Sequence, residues 1–367
     1  MMKISSPYLD TIHYNIEDDL KAYPEAWCYV IIGGRNTGKT YSALRYHLQN
    51  GYKHVFCKRT VKDVNLLCAG NTIGEKCPFV ELDFSPYKSI NRDFDTKIMA
   101  YKIQDGIGAF YGQDEEGRAA GSPYGYIASL SAIKTVKGFD LSDCESIIFD
   151  EFIPQPTERT YKTEGDAVME LYKTVARDRT LRGRQELKLL LLANAVNVFN
   201  YTCETLELTD TIAEMSMTKT ETLYIDDRRI FIRILKTPEE LMEAEQKTGI
   251  YQAMHNTAWG RMAFSNEFAY NDFSNIKKIS VKGYRPLIKL TYKGKEYYIY
   301  SSDNAYYMCT VKGKCPIKYD LDKEMGRKAF YYDYAIDFLN SCIEGKMLFE
   351  KYSMYDLIVN YKKRFNI

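Results

Sequence analysis

The sequence predicts an α/β fold with a mostly parallel β-sheet, joined to a smaller α+β domain. Three observations support this prediction: short apolar runs that alternate with helical stretches, a glycine-rich loop between the first run and a helix, and a later group of closely spaced strands. The apolar runs lie at 28–32, 54–57, 126–130, 146–149 and 187–192. Short all-apolar strands separated by helices are typical of a parallel sheet that is covered on both faces.

The length of 367 residues suits two domains, each large enough to bury a core. We place the first domain at 1–208 and predict a surface loop or hairpin within it at 106–126, which is rich in glycine and acidic residues. Residues 209–271 are charged and helical in pattern, with Thr237-Pro238-Glu239-Glu240 as a helix start, and we predict a helical linker there.

The third segment, 272–367, is predicted to be an α+β domain that opens with a β-meander. Its predicted strands are 287–292, 296–300 and 305–311, and its predicted helices are 331–339 and 349–365.

Composition and charge exclude several classes of protein. With 45% hydrophobic and 27% charged residues, the chain has an ordinary globular composition. Its longest apolar runs fall short of the roughly 20 residues that span a bilayer, and no leader segment is recognisable, so neither a membrane span nor export is expected. Nine scattered cysteines and four dispersed histidines predict reduced thiols and no structural metal. With a net charge of +1, any binding of nucleic acid must depend on local charge.

A phosphate-binding loop is predicted directly after the first strand. Residues 33–40 match G-x-x-x-x-G-K-T, a pattern in which backbone N–H groups at a helix N-terminus wrap phosphates. Lys39 would reach the β- and γ-phosphates, and the Thr40 hydroxyl would hold Mg²⁺. A plain glycine turn is the alternative. ATP and Mg²⁺ are thus the expected cofactors, bound by Gly33, Gly34, Arg35, Asn36, Thr37, Gly38, Lys39 and Thr40.

A second part of such a site is an apolar strand that ends in two carboxylates. The run at 146–149 is followed by Asp150, which can bind Mg²⁺, and by Glu151, which can orient or deprotonate the attacking water. Because strands often end in acidic turns, this indication depends on its pairing with the loop upstream.

Positive charge for the γ-phosphate could come from the segment before the strand at 187–192. Four arginines cluster there: Arg177, Arg179, Arg182 and Arg184. A neighbouring subunit could receive one of them, and a solvated basic loop is the alternative. Asn194, just past the strand, could be a polar sensor near the γ-phosphate or a turn residue.

Residues 276–318 contain ten basic residues and two acidic ones. Such an excess favours contact with phosphate backbones without readout of the base sequence, and a solvated face is the alternative. A metal-dependent nuclease site is a further possibility, although no spacing singles out a set among the aspartates Asp303, Asp320, Asp322, Asp333 and Asp337.

Four segments together resemble one family. They are IIGGR at 31–35, IIFDEF at 147–152, TVARDR at 174–179 and ANAV at 193–196. In this order they are similar to the DNA-encapsidation ATPases of small short-tailed bacteriophages (Picovirinae type), which are relatives of the large terminases. The likeness is collinear over most of the chain, and its specificity lies in the combination.

The resemblance implies a P-loop ATPase core of the additional-strand type, a helical linker, and a C-terminal domain similar to a vestigial RNase H-like nuclease. It also implies a homopentameric ring on the portal vertex of a prohead in the host cytoplasm. By position, Arg177 matches the trans-acting arginine of the family and Lys137 matches a lysine that reaches across the same interface. Arg179, Lys134 and Arg182 are rivals for these roles.

The implied activity is a motor that hydrolyses ATP to move double-stranded DNA into the prohead. Arg35 is similar to an arginine of terminase loops that links the nucleotide to the subunit interface. Lys58, Arg59 and Lys62, which follow the second strand, are predicted to line the pore. A P-loop nucleoside kinase, another DNA-stimulated ATPase and a nucleotide-gated scaffold without turnover stay open as alternatives; Glu151 disfavours the scaffold.

Overall fold

The computed structural model of the chain describes residues 12–69, 71–76, 85–133, 138–155, 157–158, 160–265, 268 and 271–367. Contacts divide the chain into two compact units. The first comprises the described residues within 1–206 and 218–270, and the second those within 207–217 and 271–367. The three-part division at 208 and 271 stays a prediction. In the described part of the chain, every helix is too short or too polar to cross a bilayer.

The first unit is built around one sheet. Its strands are β1 (Cys28–Ile32), β2 (Lys53–Lys58), β3 (Ile98–Gln104), β4 (Ile107–Gln113), β5 (Ala119–Ser129), β6 (Cys144–Asp150), β7 (Lys188–Ala193), β8 (Thr222–Ile225) and β9 (Ile230–Ile234). They are ordered β3-β4-β5-β2-β6-β7-β1-β9-β8. The strands from β5 to β9 in this order run parallel, and antiparallel strands extend the sheet at both edges. This confirms the predicted α/β fold with a mostly parallel sheet.

Strand β7 lies between β1, which precedes the glycine-rich loop, and β6, which ends in the two carboxylates. A strand inserted between these two is the feature that the additional-strand type is named for. All five residues of β1 are buried, as are the apolar residues of β6 and β7. A strand buried on both faces carries a continuous apolar run. The two elements that carry the predicted phosphate chemistry are therefore held in the middle of the sheet.

Helices flank and connect the strands in both units. In chain order the helices of the described residues are α1 (Ile16–Ala22), α2 (Lys39–Asn50), α3 (Val61–Cys68), α4 (Lys88–Phe94), α5 (Glu164–Ala176), α6 (Tyr201–Thr205), α7 (Thr209–Thr218), α8 (Glu239–Gln246), α9 (Gly249–Met254), α10 (Ala258–Ser265), α11 (Glu324–Phe330), α12 (Ile336–Ile343), α13 (Tyr352–Val359) and α14 (Tyr361–Phe365). A π-helical turn, Tyr331–Ala335, joins α11 to α12.

The prediction that 209–271 is helical is wrong for 222–234. Strands β8 and β9 occupy this stretch, and β9 pairs in parallel with β1. Ile230, Phe231 and Ile232 are buried there. Their β-branched and aromatic side chains are buried within the sheet to which β9 belongs. This burial favours a strand here, although the surrounding sequence is charged and helical in pattern.

The second unit contains a five-stranded sheet. Its strands are β10 (Arg285–Tyr292), β11 (Lys295–Ser301), β12 (Tyr306–Cys309), β13 (Ile317–Asp320) and β14 (Met347–Phe349), in the order β13-β10-β11-β12-β14. The predicted meander of β10, β11 and β12 is confirmed. The short strands β13 and β14, which pair in parallel with β10 and β12, were not predicted. Ile288, Leu290 and Ile299 of the sheet form one core with Phe330 and Leu357 of the helices.

Candidate nucleotide site

The glycine-rich loop joins β1 to α2 at the carboxyl edge of the parallel strands. Asn36 and Gly38 have φ values of 60° and 87°, which turn the chain just before α2 begins at Lys39. At Gly38 a Cβ atom would lie 3.0 Å from the Cβ of His13, in a conformation that L-residues already disfavour. The first turn of a helix leaves its N–H groups without internal acceptors, and the helix dipole favours an anion there. The loop therefore has the local geometry of a phosphate site.

Lys39 folds back over this loop. Its Nζ lies within hydrogen-bonding distance of four oxygens: the carbonyls of Gly33 (3.1 Å) and Gly34 (2.6 Å), Thr37 Oγ1 (3.1 Å) and Asn194 Oδ1 (3.3 Å). Lys39 is 8% exposed, and burial lowers its pKa to about 8. Its ammonium group thus has neutral oxygen partners and gains a phosphate anion as a better one.

Thr40 and Asp150 join the loop to the end of β6. Thr40 Oγ1 donates to Asp150 Oδ1 at 2.7 Å. Lys58, at the end of the neighbouring strand β2, donates to Asp150 Oδ2 at 2.9 Å and to Glu151 Oε2 at 3.2 Å. Although burial opposes it, the two carboxylates raise the pKa of Lys58. Hydroxyl and carboxylate oxygens are the ligands that Mg²⁺ prefers, so Thr40 and Asp150 fit that ion.

Glu151 presents its carboxylate from an unusual backbone conformation. Its φ is 58°, in the left-handed region, and its side chain is 55% exposed, in contrast to the buried β6 residues before it. The next residue, Phe152, is fully buried and donates its N–H to the carbonyl of Leu192 in β7 at 3.1 Å. The turn after β6 is therefore tied to the neighbouring strand at the residue that follows the carboxylate.

These groups share one cavity of about 340 Å³. It is lined by Arg35, Asn36, Thr37, Gly38, Lys39, Thr40, Tyr41, Asp150, Glu151, Ala193 and Asn194. The structure therefore brings together the glycine-rich loop, the acid pair and Asn194, which are far apart in the sequence. A helix N-terminus can bind the phosphates of a nucleoside triphosphate, and oxygen ligands beside it can bind the divalent cation that accompanies them.

A model of the family described as Podovirus DNA encapsidation protein (Gp16) matches residues 110–322, more than half of the chain. The chain belongs to this family. The resemblance expected from the four sequence segments is thereby confirmed. No curated protein sequence matches the chain.

Solved structures share the fold of this encapsidation protein. One, described as the bacteriophage Phi-29 viral genome packaging motor assembly, has a TM-score of 0.62 and 18% identity, and the match covers 97% of this chain and 100% of the other. Another, described as the Phi-28 gp11 DNA packaging motor, has a TM-score of 0.58 and 14% identity, with 96% and 98% covered. At these identities the likeness concerns the fold.

The arginine segment of the encapsidation protein lies at the opposite edge of the sheet from the cavity. Arg179 is 2% exposed and donates to the carbonyls of Gln185 (2.6 Å) and Cys144 (2.5 Å) and to Glu145 (2.5 Å). Since Cys144 is the first residue of β6, these bonds fix the segment at the amino edge. A side chain buried in this way cannot reach a neighbouring subunit, so the prediction of Arg179 as a rival trans-acting residue is wrong. Arg184 is likewise tied to the carbonyl of Ser142 and to Glu145.

Arg177 and Arg182 stay accessible in the same segment. Arg177 follows α5 with φ 42° and ψ −128°, and its 38% exposed side chain donates to the carbonyl of Phe139 at 2.7 Å and pairs with Asp140 at 3.4 Å. Arg182 pairs with Asp178 and is 69% exposed. The length of β6 separates this edge from Asp150 by about 20 Å, beyond the reach of an arginine side chain. Lys137 and Lys134 lie outside the described residues.

The prediction that Lys58 and Arg59 line a pore is wrong in this structure. Lys58 pairs with Asp150 and Glu151, and Arg59 is 7% exposed, with its guanidinium bonded to two carboxylates and to two backbone carbonyls of the turn after β6. Because β2 and β6 are parallel neighbours, their carboxyl ends meet, which brings Lys58 to the acid pair and Arg59 to the backbone of the turn after β6. Lys62, in α3, is exposed. The presence of Lys58 and Arg59 at the end of β2 could have indicated these contacts, but only if the order of the strands in the sheet had been known.

Proposed function

We propose that the chain is the ATPase subunit of a podovirus genome-packaging motor, which hydrolyses ATP to translocate double-stranded DNA into a prohead. The observation that carries the proposal is the Thr40–Asp150 hydrogen bond, which unites the phosphate loop with the acid pair in one cavity. Membership of the encapsidation family supplies the biological context. An ATPase unrelated to DNA packaging would account for the cavity but not for the family match. A packaging protein without ATPase activity would account for the family match but not for the cavity.

In the proposed site, the backbone of residues 33–38 surrounds the phosphates and Lys39 transfers its hydrogen bonds from loop carbonyls to the β- and γ-phosphates. Thr40 and Asp150 hold Mg²⁺, which neutralises phosphate charge when bound. Glu151 orients the attacking water and accepts its proton. Asn194 is assigned the role of a γ-phosphate sensor, and its hydrogen bond with Lys39 supports this assignment.

We propose that Arg177 completes the site of a neighbouring copy, with Lys137 as a second trans-acting residue. The position of Arg177 at the amino edge supports a role in trans, because the strand length keeps it from its own cavity. Its exposure and its weak pairing with Asp140 leave it free to exchange partners. Arg35, exposed on the rim of the cavity, could contact the same interface.

The second unit is proposed to contact DNA. Nine of the ten basic residues within 276–318 are exposed, and Lys289, the tenth, pairs with Glu296. Lysines in such an arrangement bind phosphates without sequence readout, and their contribution weakens with salt. We also propose that this unit is a vestigial RNase H-like nuclease, a relationship to which the antiparallel meander with its flanking helices gives support.

We further propose that copies of the chain form a ring, a pentamer by resemblance, on the portal of the prohead in the host cytoplasm. The matched structures, described as packaging motors, give this assembly its support. DNA, the portal and the prohead are the partners expected on this basis.

The test is steady-state ATP hydrolysis by the wild-type chain and by Glu151→Gln, with and without random-sequence double-stranded DNA. We expect DNA to raise turnover, and Glu151→Gln to abolish it while ATP still binds. Turnover that ignores DNA, together with phosphorylation of a nucleoside, would instead favour a P-loop kinase. Binding without turnover by the wild-type chain in the assembled prohead motor would favour a scaffold.

A further inference from the structure

We infer that Arg59 is a positioning residue for Glu151, an inference that rests on the ATPase function proposed above. Arg59 follows β2 and is 7% exposed. Its guanidinium donates to Glu164 Oε2 (2.7 Å), Glu158 Oε2 (2.6 Å), and the carbonyl oxygens of Glu151 (3.0 Å) and Phe152 (3.1 Å). Two of these bonds are made to the backbone of the turn that carries the catalytic candidate.

The peptide group between Glu151 and Phe152 is held from both sides. Its carbonyl accepts from Arg59 Nη2, and its N–H donates to the Leu192 carbonyl of β7 at 3.1 Å. The φ of 58° at Glu151 is a conformation that L-residues disfavour, so surrounding contacts must stabilise it. The Arg59 guanidinium and the Leu192 carbonyl restrain the backbone at Glu151, while Lys58 Nζ donates to the carboxylate itself at 3.2 Å. The direction in which the Glu151 side chain leaves the backbone therefore depends on the bonds that Arg59 makes.

Two glutamates hold the guanidinium itself. Glu164, the first residue of α5, has a side chain that is 3% exposed, and Glu158 lies between β6 and α5. A guanidinium is planar and presents its donors in a fixed fork, so these carboxylates determine where its remaining N–H groups point. Lysine, with a single ammonium group, cannot reproduce this set of bonds. The arrangement is therefore specific to arginine.

The functional consequence concerns the chemical step more than nucleotide binding. None of the four groups that Arg59 contacts lies in the phosphate loop, whose geometry is set by β1 and α2. Loss of the restraint at Glu151 misplaces the water-activating carboxylate, and a displacement of about 1 Å can cost on the order of a hundredfold in rate. A purely structural arginine would lower stability without this separation of kcat from KM.

The experiment compares Arg59→Lys and Arg59→Gln with Arg233→Gln. Arg233 is the matched control: it belongs to the same unit, its guanidinium pairs with the buried Asp19, and it does not line the cavity. Binding of a fluorescent ATP analogue, kcat and KM with saturating DNA, and thermal unfolding are measured for each full-length chain. We expect both Arg59 variants to bind the analogue within threefold of wild type, with KM within threefold and kcat lowered at least tenfold, and Arg233→Gln to keep its kcat.

The inference is overturned if kcat of the Arg59 variants falls no further than that of Arg233→Gln, or if KM rises in proportion to the loss of kcat. Should the Arg59 variants fail to fold, Glu164→Gln provides the milder test, because it keeps an acceptor for Arg59 but removes the charge that fixes it. The same separation, smaller in size, is expected there, and its absence refutes the inference. A wild-type chain without ATP turnover would instead refute the proposed function itself.

Discussion

The pKa of Lys39 determines how the affinity for ATP should change with pH. In the nucleotide-free chain, burial lowers that pKa to about 8, whereas an ammonium group in contact with phosphate oxygens keeps its proton to higher pH. Binding of ATP therefore takes up a proton whenever the pH is above about 8. Linkage requires that affinity then fall as the pH rises.

The magnitude follows from the same pKa. Below pH 7 Lys39 is protonated in both states, and this group contributes no pH dependence. Above pH 8 each unit weakens binding by about tenfold, or about 1.4 kcal/mol, until the pKa of the bound state is reached. From pH 7 to pH 9.5 the dissociation constant of ATP should rise by about thirtyfold.

The assay is an equilibrium titration of a fluorescent ATP analogue with Mg²⁺, in the Glu151→Gln background so that hydrolysis does not interfere. Lys39→Arg is the control, because a guanidinium keeps its charge over this range and its slope should be flat. A flat profile for the lysine protein, or an equal slope in the arginine variant, would refute the reasoning.

The stability of the nucleotide-free chain gives an independent check with the opposite sign. Since the folded-state pKa of Lys39 lies below the ordinary lysine value of 10.5, the unfolded chain binds more protons between about pH 8 and 10.5. The contribution of Lys39 to the free energy of unfolding therefore rises with pH across this window. Lys39→Met should remove that rise, as measured by urea unfolding at several pH values.

The remaining predictions concern the acid pair and the arginines. Glu151→Gln should lower the rate of phosphate release from ATP by at least about a hundredfold, because the amide cannot accept the proton of the attacking water. ATP binding should stay intact, and normal turnover would exclude Glu151 as the base. Thr40→Val should weaken ATP binding more in Mg²⁺ than in EDTA, because it removes one proposed ligand of the cation, and equal weakening in calorimetric titrations would contradict this. Arg179→Ala should lower the free energy of unfolding by about 1–3 kcal/mol, because the carbonyl oxygens of Gln185 and Cys144 lose a charged donor while Glu145 keeps Arg184 as its partner. Arg177→Ala should change it by about 0.5 kcal/mol or less. Mixing Arg177→Ala subunits with Glu151→Gln subunits should restore part of the turnover, and no recovery would argue against action in trans.

Local patterns explain why the phosphate loop could be predicted from sequence. The geometry of residues 33–40 depends on neighbouring residues: a strand that delivers the loop, glycine at the position with φ 87°, and a helix that starts at Lys39. The acid pair is also local, since it follows its own strand. The sequence indicated that these segments belong to one site, but the hydrogen bond from Thr40 to Asp150 depends on the strand order, in which β7 lies between β1 and β6.

The contacts around the site join residues that are far apart in the sequence, and the predictions for these residues were partly wrong. Lys58 and Arg59 were predicted to line a pore, but the pairing of β2 with β6 brings Lys58 to the acid pair and Arg59 to the turn after β6. Arg177 and Arg179 are two residues apart in one basic segment, yet one is partly exposed and the other is buried among carbonyl oxygens. Composition is the same for both, so tertiary hydrogen bonding decides which arginine is accessible.

The opposite positions of the cavity and Arg177 limit how copies can assemble. If each copy lends Arg177 to one neighbour and receives an arginine from another, as in the proposed ring, the contact is heterologous and repeats head-to-tail. An open row of copies then always ends with one cavity that lacks its arginine and one arginine that lacks a cavity. Closure into a ring removes both ends at once, so the last subunit to join completes two sites, and turnover should rise more steeply at that step than at any earlier one.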